Sequence, residues 1–212
     1  MAVSENVAGL RDYRIRRSSL DWYASLRAGA FSVSAHIEHE HGIVEHQEFL
    51  SLDGKGPRAA CAEALIWLLP NEGAVVAYNA GFERSCILKL ADWCPEFATR
   101  LRSLAGRIVD LLPLTRANWY HRDQRGSWSL KAVLPTIAPE LDYSNLAVKN
   151  GQSAQLAYLR ASAPDTSATF RGEIDAQLRR YCRRDTLAMI ILATKLASIG
   201  DSFTRTDGQK PA

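Results

Sequence analysis

Cysteine is scarce in this chain, and so is any long apolar run. The four cysteines among 212 residues, Cys61, Cys86, Cys94 and Cys182, form no C-x-x-C pair, and each sits in an apolar stretch. That argues against a disulfide framework and points to structural thiols in a reducing compartment. No apolar run approaches the roughly 18 residues of a membrane span; the longest clear one is Leu187 to Ala193. The opening residues, MAVSENVAGLRDYRIRR, have no apolar core and so make no secretory signal. The expectation is a cytoplasmic protein with no membrane partner. A Gly-rich cofactor loop and a nucleophile elbow are also lacking, which weakens a reading as a plain metabolic α/β enzyme.

What is present is an ordinary globular mixture. Apolar residues make up 47% and charged residues 23%, which argues against disorder. At this length about 70% of the unfolded chain's surface goes inside, enough for one domain with a core that needs no staples. Lys and Arg number 26 against 23 Asp and Glu, a net charge of +3 that neither demands nor excludes nucleic acid. The distribution says more. Arg11, Arg14, Arg16, Arg17 and Arg27 crowd the first segment, and Arg179, Arg180, Arg183 and Arg184 form a second cluster. Such clusters neutralise phosphate, or else stand solvated on an exposed face. Four of the five histidines fall between His36 and His46. Alternation puts His39 and His41 on one strand face and His36 on the other. With Gly42 where a turn belongs, this reads as a polar hairpin face; a zinc site needs three or four ligands converging tetrahedrally.

Residues 1–30 show no clean period and are expected to be irregular. Residues 31–200 are expected to form the folded domain, and 201–212 a disordered tail. Two strands are predicted near Phe31–His39 and Ile43–Leu52. Pro57 opens a helix, its favoured first-turn place, and Pro70 closes it. Ala74–Tyr78 is a short, continuously apolar strand, as buried parallel strands are. Asn79 ends it, and a helix begins by Phe82. RIVDLL is another short strand, and SLKAVLP ends a short helix at Pro135. SNLAVKNGQSA and ASAPDTSATF read as loops, and Gly172 to Ile199 as one long helix. This order predicts an α/β domain with a mixed sheet and flanking helices.

The long helix carries the sharpest clue. At about 100° per residue, Ile174, Leu178, Tyr181, Asp185, Ala188 and Leu192 share one stripe. Asp185 therefore projects from an apolar face, where an unpaired carboxylate costs several kcal/mol. It is either a metal ligand with Tyr181 one turn away or the partner of a buried arginine. VVAYNAGFER is the second clue, because open α/β sheets place ligands at the carboxyl ends of their strands. Asn79 is suited to cap the following helix. Glu83 is either a first-turn acid complementing the helix dipole or a ligand aimed at the cleft. Asp110 in RIVDLL is a third carboxylate, or simply a polar strand end. Trp119, Tyr120 and Trp128 lie near basic residues, either as a stacking surface or as core.

These residues together resemble known motifs. N-A-G-F-E (79–83) is similar to the second motif of the DEDD 3′-to-5′ exonucleases, N-x-x-F-D, with Glu83 in the aspartate's place. Y-C-R-R-D (181–185) matches their third motif, Y-x-x-x-D, which marks the tyrosine subclass. VVAYNAGFER, RIVDLLPL, RGSWSLKAVLP, NGQSA and YCRRDTLAM, in that order, resemble a bacterial family catalogued as domain of unknown function 2779, over about Phe31 to Leu196. The resemblance implies a ribonuclease H-like fold and a nuclease that uses two Mg²⁺ or Mn²⁺ ions about 4 Å apart. By motif, Glu83 and Asp185 would hold metal, Tyr181 would orient the attacking water, and Asp110 would sit nearby as a further candidate metal ligand. Lys131, Arg125, Arg84 and Asn79 are the candidate substrate contacts. The implied partner is nucleic acid, DNA or RNA. Family members often carry this domain after a longer region that resembles a different nuclease.

The exonuclease pattern also has a first motif, D-x-E, on a first strand before the hairpin; the family carries D-F-E there. Here Asp21-Trp22-Tyr23 has one carboxylate without its partner, and Glu38-His39-Glu40 comes one strand too late. Two of the four expected carboxylates are therefore absent, which weakens metal binding, since hard cations need several oxygen ligands. Either the start of the chain is truncated or out of frame relative to the family, or the domain has lost catalysis and keeps its fold to bind nucleic acid or protein.

Overall fold

Five strands line up in the order β3-β2-β1-β4-β5. The computed structural model describes residues 21–26, 31–39, 43–141 and 143–206. Strand β1 is Asp21–Leu26, β2 is Ser32–Glu38 and β3 is Val44–Leu50. Helix α1 (Arg58–Leu68) leads to β4 (Val75–Ala77), α2 (Gly81–Trp93), α3 (Ala98–Gly106) and β5 (Ile108–Asp110). Then come α4 (Leu111–Asn118), α5 (Leu130–Val133), α6 (Gly151–Ala161) and α7 (Ala168–Thr206). The three strands β1, β2 and β3 pair antiparallel, while β4 lies parallel to both β1 and β5. The expected mixed α/β sheet is present.

The main departure lies in the segment expected to be irregular. Within it, residues 21–26 form β1, the central strand, paired on both sides. In DWYASL the apolar run is only Trp22-Tyr23-Ala24, with no alternation to announce a strand; its neighbours select it, because β2 and β4 each need a partner along one edge. Residues 1–20 and 27–30, with the arginine cluster Arg11 to Arg27, lie outside the described residues, as do Glu40, His41 and Gly42. Of the expected tail, 201–206 continue α7 and 207–212 lie outside the described residues.

The sheet is covered on both faces. Val33, Ala35 and Ile37 of β2 pack with Cys61 and Leu65 of α1, Ile87 and Leu90 of α2, and Leu101 and Leu104 of α3. On the other face the stripe of α7 is buried as its period predicts. Ile174, Leu178 and Tyr181 pack with Leu134, Tyr143 and the alanines Ala154, Ala157 and Ala161 of α6. Further along, Met189, Leu192 and Leu196 meet Val76 of β4 and Leu111 and Val133. NGQSA is not loop: Asn150 caps α6, accepting from Ser153 N at 2.8 Å while Ser153 Oγ accepts from Asn150 N at 3.1 Å. That reciprocal pair is a helix-start signal in its own right. The four cysteines are thiols rather than disulfides, and burial pushes the Cys61 pKa up to about 12, which keeps it inert.

The second face of β2 is polar yet buried. Ser34 and His36 are 1% and 4% exposed. They are satisfied by α7, where Thr186 Oγ1 lies 2.7 Å from His36 Nδ1 and 3.4 Å from Ser34 Oγ. His46 of β3 adds a hydrogen bond with Ser34 Oγ at 3.0 Å, its ring 4.6 Å from that of His36. Burial, then the proximity of His46 and Arg183, lowers the His36 pKa from 6.5 to about 4. The folded protein thus refuses a proton that the unfolded chain accepts. Stability is full above pH 6.5 and falls with pH down to about 4, where both states are protonated. A loss of roughly 2 kcal/mol is expected across that window, allowing for residual solvation. Urea midpoints measured from pH 7.5 to 4.5 check this; His36→Gln is expected to flatten the decline, and an unchanged slope in that variant would refute the assignment.

Candidate functional site

The turn between β4 and α2 is built by a residue from the next strand. Asp110, at the end of β5, accepts from Asn79 N at 2.8 Å and Ala80 N at 3.0 Å through its two carboxylate oxygens. Its Oδ1 also accepts from Leu112 N at 2.9 Å, which caps α4. One side chain therefore satisfies three backbone donors and ties two helix starts together. The expectation that Asn79 caps α2 is corrected. The N-cap position falls on Ala80, without a side-chain hydrogen bond. Asn79 is in the left-handed region at φ 59, which asparagine tolerates better than most residues, so its amide turns toward Asp110.

Glu83 stands half-buried in the first turn of α2, where the helix N-terminus favours a negative charge. Arg84, a candidate phosphate contact, is engaged by the fold: its Nη2 donates to Ile108 O at 3.0 Å and its Nε to Ala105 O at 3.4 Å. Arg125 is exposed on the segment between α4 and α5.

Two blocks far apart in sequence meet at Lys131. It lies on α5, which Ser129 caps. Lys131 Nζ donates to Tyr181 Oη at 3.1 Å and to Lys149 O. The ammonium lies 4.9 Å from the centre of the Tyr181 ring and 5.0 Å from that of Tyr143, within cation–π range. Tyr181 is 1% exposed and Asp185, one turn on, 9%. The structure thus joins the W-S-L-K block to the Y-x-x-x-D block. Tyr143 is not legible in the sequence as a member of this cluster, because its segment carries no period.

The register of β1 bears on the same place. Tyr23 pairs with His36 of β2 and with Val76 of β4. Both partners face α7, His36 through Thr186 and Val76 through Met189 and Leu192. Positions 21 and 23 share a face by the two-residue period of a strand. The stretch where the exonuclease pattern expects its first acidic pair is therefore on the strand that α7 packs across.

Among the described residues, no group of three or more His, Cys, Asp or Glu side chains comes together to hold a metal ion. Asp110 is occupied by three amides. Glu83 and Asp185 supply hard oxygen donors and Asp21 stands on β1 at the first-motif position, but with Tyr23 where that motif has its glutamate the set is one carboxylate short. The described residues therefore do not fit the two-ion set that the motifs imply. Among them no helix is long and apolar enough to cross a membrane.

The fold and these residues define an α/β domain with a mixed five-stranded sheet and a carboxylate-bearing helix across its centre. The profile of a family described as a domain of unknown function (DUF2779) matches residues 23–129, half of the chain. The chain belongs to that family. The match begins inside β1, eight residues before the segment that carried the resemblance in sequence. No curated protein and no solved structure matches the chain.

Proposed function

We propose that this chain is a ribonuclease H-like domain of the DEDD exonuclease type, that it takes nucleic acid at the α7 side of β1, and that it hydrolyses phosphodiester bonds only weakly. The observation that carries the reading is the place of β1. It lies between β2 and β4, so the turn with Asn79 and Glu83 leaves the strand beside it, and α7 with Tyr181 and Asp185 packs across it. Three motif positions that are distant in sequence thereby surround one strand. Lys131 adds a cation held against Tyr181, a fit for phosphate. Weak hydrolysis follows from the carboxylate count: β1 carries Asp21 but has Tyr23 where the first motif has its glutamate, so the set stops one carboxylate short of four and holds hard cations poorly.

A second reading, a binding module without catalysis, is favoured by the engagement of Asp110 with three backbone amides. One assay separates the two. Nucleotide release from labelled single-stranded DNA and RNA is followed with Mn²⁺, beside Asp185→Ala. Slow release that disappears in Asp185→Ala is expected. Oligonucleotide binding without any release would identify the binding module. Neither binding nor release would overturn both readings.

A further inference from the structure

Residues 119–129, between α4 and α5, are built firmly and turn aromatic and basic groups outward. Gln124 is the anchor, 2% exposed. Its Oε1 accepts from His121 N at 2.6 Å, and Ser127 N donates to Gln124 O at 2.9 Å. Arg125 and Gly126 follow in the left-handed region, φ 49 and 79. A non-glycine residue is uncommon there, and such strain persists where the surroundings impose it. Tyr78 Oη donates to Trp128 O at 2.7 Å, which fastens the segment to the residue just before the Asn79 turn.

The three aromatic residues of this segment divide. Trp119 and Trp128 are half-buried against Leu192 and Met189, and Trp119 Nε1 donates to Thr136 Oγ1 at 3.1 Å. Core packing accounts for both. It does not account for Tyr120, which is 66% exposed with its ring 6.2 Å from that of Trp128. Arg122 and Arg125, two and five residues further on, are exposed as well. The contact of Arg122 with Asp123, at 3.7 Å, joins two exposed side chains and is worth little.

We propose that residues 119–129 are a stacking platform for single-stranded nucleic acid, Tyr120 taking a base and Arg122 and Arg125 the neighbouring phosphates. An exposed ring and two exposed arginines on one short, firmly held segment are the combination that holds a strand without reading its sequence. The proposal rests on the functional reading above and deepens it by naming a single strand as the form bound.

Fluorescence anisotropy with labelled oligo(dT) and oligo(rU) tests it. Tyr120→Ala is expected to weaken binding about tenfold, and Tyr120→Phe to leave it within about twofold, because the ring does the stacking. Arg122→Ala with Arg125→Ala is expected to lower the slope of log affinity against log salt by about 1.4, roughly 0.7 for each phosphate on a single strand. All three positions are exposed, and melting curves verify that the variants fold. Unchanged affinity and slope in every variant, with the parent still binding, would overturn the platform and leave the functional reading standing. Equal losses in Tyr120→Phe and Tyr120→Ala would also overturn it, by pointing to the hydroxyl. No binding of either oligonucleotide by the parent would overturn both.

Discussion

Asp110→Ala is expected to lower the melting temperature by about 10 °C. The side chain accepts from three backbone amides on two elements. Hydrogen bonds to a charged group contribute about 1.5–3 kcal/mol each, and a buried donor left unsatisfied costs its desolvation as well. Some relaxation toward water is available, because Asn79 is exposed, so the sum is nearer about 3–4 kcal/mol than the additive maximum. A domain of this size loses about 2–4 °C per kcal/mol, and total stabilities run to about 5–15 kcal/mol. Asp110→Asn keeps one carbonyl oxygen to accept and is expected to lose about half as much. The measurement also bears on Asp110 as a metal ligand. Removing a ligand carboxylate from a protein without metal leaves stability unchanged or raises it, because repulsion between clustered acids is relieved. A variant melting within about 2 °C of the parent, in the presence of a chelator, would therefore remove Asp110 from the structural role.

The contrast between Asp110 and Asp185 shows what is legible in the sequence. Asp185 can be placed because its helix is long and its neighbours keep the 3.6-residue period; six positions on one stripe fix a direction for each side chain. The stripe is buried as predicted. Asp110 cannot be placed, because a three-residue strand has too few positions to fix a face. Its partners lie 30 and 31 residues earlier, in a turn whose left-handed asparagine no pattern announces. The same limit hides β1. A strand whose pairing is decided by neighbours on both sides needs no apolar alternation of its own, and DWYASL shows none. Within the hairpin, alternation correctly separates the faces of β2. What it misses is that both faces are buried, since only α7, some 150 positions away, supplies the Thr186 hydroxyl that makes Ser34 and His36 acceptable inside. The capping of α6 by Asn150 and Ser153 is written in the sequence as a helix-start pair. The short alanine stripe behind it nevertheless carries too little hydrophobicity to mark a helix.

Tyr23→Glu is expected to raise Mn²⁺-dependent nucleotide release about a hundredfold over the parent. The substitution writes D-W-E onto positions 21–23 of β1, the spacing of the missing first motif. Register puts position 23 between His36 and Val76, whose side chains both meet α7. A carboxylate added there brings the motif acids, with Asp21, Glu83 and Asp185, to four. The magnitude follows from what a carboxylate would add to the hold on a hard cation: even the outer partners of metal ligands are worth about 10–100-fold in affinity or activity, and a direct ligand would stand at the upper end. Tyr23→Gln is the control, since it matches glutamate in shape and lacks the charge. Asp185→Ala in the Tyr23→Glu background is expected to return release to the parent's level, because the new carboxylate works only as part of a set. Equal release from Tyr23→Glu and Tyr23→Gln would mean that β1 does not carry the first motif at this register. The exonuclease reading would then lose its central strand, and the exposed Tyr120 platform, which needs no metal, would remain as the account of nucleic-acid binding.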